Sequence, residues 1–299
     1  IVTPHTPFRV VVERGPECGP IALLLRAPEG VADLCVTSRR TAGEGRFLVL
    51  ECAVDPSAPE GMYALEASAP GARLRMPRAV LVRKQFRQSF TFIHTSDLHL
   101  LKVCNGALCH RVEMAEGLVE AINAASPEFV IHTGDVISRY GSGPTDILPE
   151  AWVRWQFETF ARIAQGLRVP MFLIPGNHDR AFAWCRREWR THMGEPWDGP
   201  CHDYAFDYGD CRFFGLDGSA EYDEQTGRSR GATYSTQRLA LLAHDLASAA
   251  SKQRRFLFCH YDYTGQLAPM LTQAEVDMIL YGHAKAVRWT AESGNGPAV

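Results

Sequence analysis

The chain has 299 residues, of which 46% are hydrophobic and 22% charged, so its composition is that of a globular protein and excludes a disordered one. Its formal net charge of −3 gives no overall attraction to nucleic acid, which we therefore do not expect as a partner. No apolar run approaches the roughly 20 residues of a membrane-spanning helix. The N-terminal residues 1–4 resemble no signal peptide, and we expect a processed or trimmed chain.

Residues 1–88 are predicted to form a small all-β sandwich domain of the immunoglobulin or fibronectin kind. Short apolar strands alternate with Gly- and Pro-rich turns, and no stretch has helical periodicity. The predicted strands are Phe8–Val12, Ile21–Arg26, Val31–Thr37, Arg46–Ala53, Met62–Ala67 and Ala79–Val82.

Residues 89–299 alternate strands with amphipathic helices, which predicts an α/β domain with its function at the strand ends. The predicted strands are Thr91–His94, Phe129–His132, Met171–Ile174, Arg255–Cys259 and Met278–Tyr281, with a hairpin from Tyr204 to Leu216. Apolar periodicity marks helices at Val112–Ile122, Trp152–Ile163 and Thr236–Ala249. We interpret Trp152, Trp155, Phe157 and Phe160 as the buried face of a helix, with a ligand platform as the alternative.

Metal-binding side chains follow five of these strands. They are Asp97 with His99, Asp135, Asn177 with His178 and Asp179, His260, and His283. A carboxylate and an imidazole two residues apart, leaving an extended strand, can point toward one ion. Each residue alone is typical of a turn or a structural histidine, but the ordered series favours a metal site. We interpret five of the histidines outside the series as structural; they are His94, His110, His132, His202 and His244.

The series of motifs resembles that of the calcineurin-like metallophosphoesterase superfamily over roughly residues 90 to 285. The motifs are Asp97-Leu98-His99, Gly134-Asp135, Gly176-Asn177-His178-Asp179, His260 and Gly282-His283. The resemblance implies a four-layer sandwich of two mixed or parallel sheets flanked by helices. It also implies hydrolysis of a phosphate monoester or diester, on a small phosphorylated substrate, by a metal-bridging hydroxide.

The resemblance implies a role for each matching residue. Two divalent ions, Mn, Fe or Zn, would be bound, because the ligands are oxygen and nitrogen without Cys. The first ion would be held by Asp97, His99 and Asp135, and the second by Asp135, Asn177, His260 and His283. His178 would donate a proton or hydrogen bond to the phosphate, and Asp179 would orient His178 and fix its tautomer.

Two positions depart from the patterns of related branches. Gly282-His283-Ala284-Lys285 has lysine where GHxH has a second histidine, so Lys285 is expected to contact a substrate phosphate or to turn away, leaving a weaker first site. Ser138 stands where the purple acid phosphatases have a tyrosine ligand, so no iron–tyrosinate colour is expected.

Candidate substrate contacts lie in the loop Leu101–Arg111, which directly follows the first metal motif. They are Asn105, His110 and Arg111, with a solvated surface loop as the alternative. Tyr261 and Tyr263, just beyond His260, are candidates for the pocket wall.

Two further functional hypotheses stay open. A metal site degraded at Lys285 would leave a non-catalytic binding module, and Phe92–His99 also resembles the start of a DNA-repair nuclease branch. The nine cysteines are compatible with reduced thiols or with pairs such as Cys201–Cys211 and Cys104–Cys109. The β-sandwich and the cysteine count favour an extracytoplasmic bacterial protein, and the sequence does not predict an oligomeric state.

Overall fold

A computed structural model describes residues 1–4, 6–13, 20–27, 30–42, 44–45, 47–104, 107–141, 146–194, 203–217, 222–223, 228–229, 234–262 and 264–283. Several positions singled out above lie outside these residues. They are Asn105, Cys201, His202, Tyr263 and Lys285. The chain divides into two compact units: residues 1–90 with 167–170, and residues 91–166 with 171–299.

The first unit is built from six antiparallel strands. They are β1 (Phe8–Glu13), β2 (Ala22–Ala27), β3 (Gly30–Ala42), β4 (Phe47–Val54), β5 (Gly61–Ala69) and β6 (Ala72–Val82), in the spatial order β1-β4-β3-β2-β5-β6. The long strand β3 pairs with β2 near its start and with β4 further on, with an irregularity between Val36 and Ser38. Leu25, Leu50, Cys52 and Val82, from both halves of the sheet, are fully buried in one core.

The second unit contains five helices and eleven strands among the described residues. The strands are β7 (Phe92–Thr95), β8 (Leu101–Cys104), β9 (Ala107–His110), β10 (Phe129–His132), β11 (Met171–Leu173), β12 (Tyr204–Tyr208), β13 (Cys211–Leu216), β14 (Tyr222–Asp223), β15 (Arg228–Ser229), β16 (Arg254–Cys259) and β17 (Met278–Tyr281). The helices are α1 (Val112–Ala125), α2 (Glu150–Ala164), α3 (Ala183–Met193), α4 (Thr236–Ser248) and α5 (Thr264–Gln273). The α/β class is therefore confirmed, whereas the four-layer arrangement stays a prediction.

Two sheets organise this unit. Strands β11, β10 and β7 form a parallel sheet, and β12, β13, β16 and β17 form a mixed sheet in which β12 alone is antiparallel to its neighbour. Aromatic side chains of the two sheets are in contact: Phe129 lies 5.2 Å from Phe213, and Phe172 stacks on Phe206 at 3.6 Å, between ring centroids. β10 is buried throughout, as expected for a central parallel strand.

Helices α1, α2 and α3 share a second hydrophobic core with the segments that follow β7 and β10. Phe157 and Phe160 of α2 are buried there with Trp189 of α3, which confirms the buried-face interpretation for those two phenylalanines. α1 ends where Ser126 adopts a left-handed conformation and its N–H bonds the carbonyl of Ile122, before a proline that cannot continue the helix. No helix among the described residues is long and apolar enough to cross a membrane.

Two hairpins and two helices were not predicted. β8 and β9 form a hairpin in the segment that the sequence favours as a loop, while α3, α5 and the β14–β15 pair were not assigned. Cys211 is a free thiol, and Cys201, its candidate partner, lies outside the described residues.

Candidate metal centre

The strand order brings the metal-binding motifs to common sheet edges. β7, β10 and β11 are parallel, so the residues that follow them lie at the same end of one sheet. Asp97 and His99 follow β7, Asp135 follows β10 and Asn177 follows β11. In the second sheet, His260 and His283 follow the parallel neighbours β16 and β17.

Four of these residues have left-handed backbone conformations. The φ angles are 54° at Asp97, 45° at His99, 55° at Asp135 and 60° at His283. This region is unfavourable for residues other than glycine, and such strain is concentrated at functional sites. Because β7 ends at Thr95, the turn that follows this strand orients the side chains of Asp97 and His99.

One oxygen of Asp135 is the geometric centre of the site. Its Oδ2 lies 3.6 Å from Nε2 of His99, 3.9 Å from Nε2 of His178 and 3.3 Å from Nε2 of His260. Its Oδ1 accepts a hydrogen bond from the backbone N–H of His178 at 2.8 Å, which fixes the carboxylate. The ligand atoms of two groups, His99 with His178 and His260 with His283, each lie within 4.8 Å of one another and of Asp135. Asp135 thus belongs to both groups of possible metal ligands, and we refer to these two groups as the halves of the site.

The tautomer of His260 leaves an electron-rich gap. Nδ1 of His260 lies 2.7 Å from the carbonyl oxygen of Thr133, which only accepts, so Nδ1 carries the hydrogen. Nε2 then directs its lone pair toward Asn177 Oδ1 at 3.0 Å and Asp135 Oδ2 at 3.3 Å. Three acceptor atoms therefore face one another, namely His260 Nε2, Asn177 Oδ1 and Asp135 Oδ2. A cation bound between them offsets their electrostatic repulsion. These residues fit a metal ion.

Without a metal, a proton fills this gap. Burial of the His260 imidazole disfavours its charge, but the charge of Asp135 outweighs that cost and raises the pKa of His260 to about 9. The pKa of Asp135 is lowered: its burial acts in the opposite direction and is outweighed by the neighbouring imidazoles, His260 above all.

The other half of the site has the same arrangement. Nδ1 of His99 lies 3.1 Å from the carbonyl oxygen of Ile137 and therefore carries the hydrogen. Its Nε2 faces Asp97 Oδ1 and Asp135 Oδ2, each at 3.6 Å. The other oxygen of Asp97 accepts hydrogen bonds from the Ser96 hydroxyl at 2.6 Å and from the backbone N–H of His283 at 2.9 Å. Asp97 is thereby connected to the second sheet as well.

His178 differs from the other imidazoles in its tautomer. The backbone N–H of Arg139 donates to Nδ1 of His178 at 3.1 Å, so the neutral ring carries its hydrogen on Nε2. Burial lowers the pKa of His178 to about 4, despite the attraction of Asp135. His178 therefore presents an N–H donor to the centre, although its ring lies close enough to be a ligand.

Asp179 does not have the orienting contact that was expected. Its buried carboxylate accepts hydrogen bonds from the backbone N–H groups of Asp135 (2.7 Å), Gly176 (2.8 Å) and Ile137 (3.2 Å). Burial and the charge of Asp135 raise the pKa of Asp179 to about 7. The prediction that Asp179 fixes the tautomer of His178 was wrong, since a backbone amide does so and Asp179 instead holds two site loops together.

Two glycines allow these loops to approach closely. A Cβ atom on Gly176 would lie 2.2 Å from Asp135 Oδ1 and 2.5 Å from the Asp135 nitrogen. A Cβ atom on Gly134, whose φ is 91°, would lie 2.3 Å from the Gly176 nitrogen. Backbone therefore packs on backbone directly behind the Asp135 carboxylate.

Sequence reasoning missed two residues of the site. Gln156 of α2 accepts from the backbone N–H of Leu101 (3.2 Å) and Ser138 (2.8 Å) and donates to the carbonyl of Ser138 (2.8 Å). Its signal was a polar residue on the apolar face of a helix. The Arg139 guanidinium lies 4.3 Å from the ring centre of Tyr140 and 5.6 Å from that of Phe182. Its buried Nε has no hydrogen-bond partner among the described residues.

The candidate substrate contacts have different positions. The Arg111 guanidinium donates to the carbonyl of Leu98 at 2.9 Å, so this side chain fastens the loop that carries Asp97 and His99. Its contact with the substrate stays a prediction. His110 packs edge-on against Trp155, with ring centroids 5.1 Å apart. The ring of Tyr261 lies 4.6 Å from that of His283, at the edge of the metal centre.

The model of the calcineurin-like phosphoesterase family matches residues 90–285. This range is about two-thirds of the chain and includes every proposed metal ligand, so the chain belongs to this family. The family supports a hydrolase that binds divalent metals. No curated protein matches the chain.

Solved structures are similar to this chain only weakly. An amylomaltase from Corynebacterium glutamicum is 11% identical over 48% of this chain and 21% of its own, with a TM-score of 0.21. Two Bacteroides fragilis proteins provisionally assigned as alpha-galactosidases are 9% and 10% identical over 94% and 91% of this chain, with TM-scores of 0.22. The chain spans half or less of the length of these proteins, 50% and 46% for the last two.

Proposed function

We propose that this chain hydrolyses a phosphate monoester or diester on a small substrate, with two divalent cations held between Asp97, His99, Asp135, Asn177, His260 and His283. The observation that carries the proposal is the convergence of the Nε2 lone pairs of His99 and His260 on one oxygen of Asp135. Both Nδ1 atoms are committed to backbone carbonyls, so the Nε2 lone pairs of the neutral rings are the ones available to a cation.

The donor set favours Mn, Fe or Zn, because imidazoles, carboxylates and one amide oxygen are the ligands of such ions. When bound, the cations supply Lewis-acid polarisation of the phosphate and lower the pKa of a coordinated water. Asp135 is the residue suited to contact both ions, since both ligand groups include it.

The remaining residues act on the phosphoryl group. The Nε2–H of His178 donates a hydrogen bond to a phosphoryl or leaving oxygen, where negative charge develops. The Arg139 guanidinium binds a second phosphoryl oxygen, because it lies next to His178 in the site and its Nε has no partner among the described residues. Asp179 acts indirectly, by fixing the backbone of Asp135 and Gly176.

In this proposal residues 89–299 form the catalytic domain and residues 1–88 form a separate β-sandwich domain. The protein is proposed to act outside the cytoplasm of a bacterium. Lys285 is proposed to contact a substrate phosphate or to turn away, which predicts unequal metal affinities at the two sites.

The proposal is tested by activity and metal content together. The purified protein is stripped with a chelator, loaded with manganese, and assayed on p-nitrophenyl phosphate and bis-p-nitrophenyl phosphate, with elemental analysis of the same samples. We expect two ions per chain and turnover that disappears on stripping and returns on loading. An Asp135→Asn variant should lose both metal and turnover, whereas an Arg162→Gln variant, changed at an exposed ion pair on α2, should keep both. Two bound ions without turnover of either substrate would favour the non-catalytic binding module.

A further inference from the structure

An open groove of about 400 Å³ is lined by His110, Ala151, Trp152 and Trp155. The rings meet at steep angles: His110 and Trp155 at 78° with centroids 5.1 Å apart, and Trp152 and Trp155 at 73° with centroids 6.3 Å apart. No carboxylate, lysine or arginine belongs to this lining among the described residues. The groove therefore offers aromatic faces and edges without a formal charge.

The groove is formed by segments that are hydrogen-bonded to the loops of the metal centre: β9 pairs with the strand that follows His99, and the backbone N–H of Leu148, just before α2, donates to the carbonyl of Arg139 at 2.8 Å. His110, at the end of β9, pairs with Leu101, which is two residues beyond His99. Trp152 is in the first turn of α2, and a helix that follows β10 begins at the carboxyl edge of that strand. Gln156, next to Trp155, bonds Leu101 and the Ser138 backbone directly behind the two ligand loops.

Apolar side chains around the groove are exposed to solvent. Trp152 is 39% exposed, and Leu108, which is two residues from His110 and shares its face of β9, is 40% exposed. Ile147, just before α2, is also 40% exposed. Clustered exposed apolar groups beside a site are typical of ligand recognition, since they gain free energy when a ligand covers them. Phe157 and Phe160 of the same helix are buried, so only the first turns of α2 contribute side chains to the groove.

We propose that this groove binds an aromatic ring carried by the alcohol portion of the phosphoester substrate. The inference rests on the proposed function and names the substrate class of the same site. The cavity has the size of a small-molecule site, and its position beyond His99 suits the part of the substrate that extends from the phosphate. An aromatic ring packed on the faces of tryptophan and histidine gains more binding free energy than an alkyl chain of the same polarity.

The test compares 2-phenylethyl phosphate with n-propyl phosphate, whose alcohols have nearly equal acidity, so that their intrinsic reactivities are similar. We expect kcat/KM of the manganese-loaded protein to favour the phenylethyl ester by about 10- to 100-fold, the range of ring stacking on an aromatic side chain. The variants Trp152→Ala and Trp155→Leu should each reduce this ratio about 10-fold or more, and Trp152→Phe should largely retain it. Leu241→Ala, a change at an exposed apolar residue of α4, should leave the ratio and both rates unchanged.

A ratio near one for the unmodified protein, or a ratio unchanged in both Trp152→Ala and Trp155→Leu, would overturn the inference while leaving the proposed function intact. Turnover of neither ester, together with no turnover of bis-p-nitrophenyl phosphate, would contradict the proposed function instead. In that case calorimetric titration with 2-phenylethylphosphonate and n-propylphosphonate still tests the groove. Tighter binding of the phenyl compound, lost in Trp152→Ala and kept in Trp152→Phe, supports the inference, and equal affinities refute it.

Discussion

The backbone N–H of Arg139 donates to Nδ1 of His178 at 3.1 Å, and this one contact assigns the hydrogen of the imidazole to Nε2. A ring in that tautomer cannot give Nε2 to a metal ion. The adjacent histidines have the opposite arrangement, because Nδ1 of His99 and of His260 bonds a backbone carbonyl. Backbone groups thus divide three similar side chains into two proposed ligands and one proposed hydrogen-bond donor.

A His178→Ala variant should keep its full metal content and lose most of its activity. We expect kcat to fall by about 10²- to 10⁴-fold, the range for loss of a proton or hydrogen-bond donor in the transition state. Elemental analysis and steady-state kinetics on the same preparation measure both quantities. His260→Ala is the matched comparison, and it should lose metal. Loss of one ion in His178→Ala would mean that His178 is a ligand.

An Arg139→Met variant should bind substrate weakly. Methionine keeps an apolar side chain of similar length, whereas the guanidinium that lies over the rings of Tyr140 and Phe182, and that is proposed to bind the phosphate, is removed. A charge-assisted hydrogen bond of about 1.5–3 kcal/mol corresponds to roughly a 10- to 150-fold loss in kcat/KM. Arg162→Gln on the surface of α2 is the control and should change kcat/KM less than two-fold. An unchanged kcat/KM in Arg139→Met would exclude a phosphate contact.

Gly176→Ala should damage both the fold and the metal site. The added methyl group would meet the bridging carboxylate and its backbone at 2.2–2.5 Å, so one of the two loops must move. Overpacking of this kind costs about 1–3 kcal/mol of unfolding free energy. Gly117→Ala in α1 is the matched control, because nothing lies within 4 Å of its Cβ position. That change should stabilise the chain by about 0.5–1 kcal/mol. Equal effects of the two changes in urea unfolding would contradict the close approach.

Metal binding should release protons and tighten as pH rises. In the metal-free protein the pKa of His260 is about 9, because the charge of Asp135 outweighs the cost of burial. At pH 7 the metal must displace the proton on Nε2, so the apparent affinity should increase up to about tenfold per pH unit and level off near pH 9. Calorimetry in buffers of different ionisation enthalpy measures the protons released. Affinity that does not change between pH 6 and 9 would refute this assignment.

The local pattern of apolar and polar residues predicted several strands correctly. β10 and β17 were predicted at their observed residues, since short apolar runs between polar turns have one plausible conformation in an α/β chain. The β8–β9 hairpin was missed although Asn105-Gly106, the dipeptide between its two strands, is a strong sequence signal for a two-residue hairpin turn. α3 was missed because arginines interrupt its apolar stripe.

The sequence by itself determined which residue types follow each strand, and hence that carboxylate, amide and imidazole ligands are available. The packing of the two sheets on each other then decides that residues as distant as Asp97 and His283 are hydrogen-bonded. Only the tertiary structure decided how each ligand is used. The tautomer of each imidazole depends on which backbone group contacts its Nδ1, and the Asp179 carboxylate accepts hydrogen bonds from backbone N–H groups of two loops. Most of these partners are distant in the chain and are set by packing, so they leave no periodic signal in the sequence.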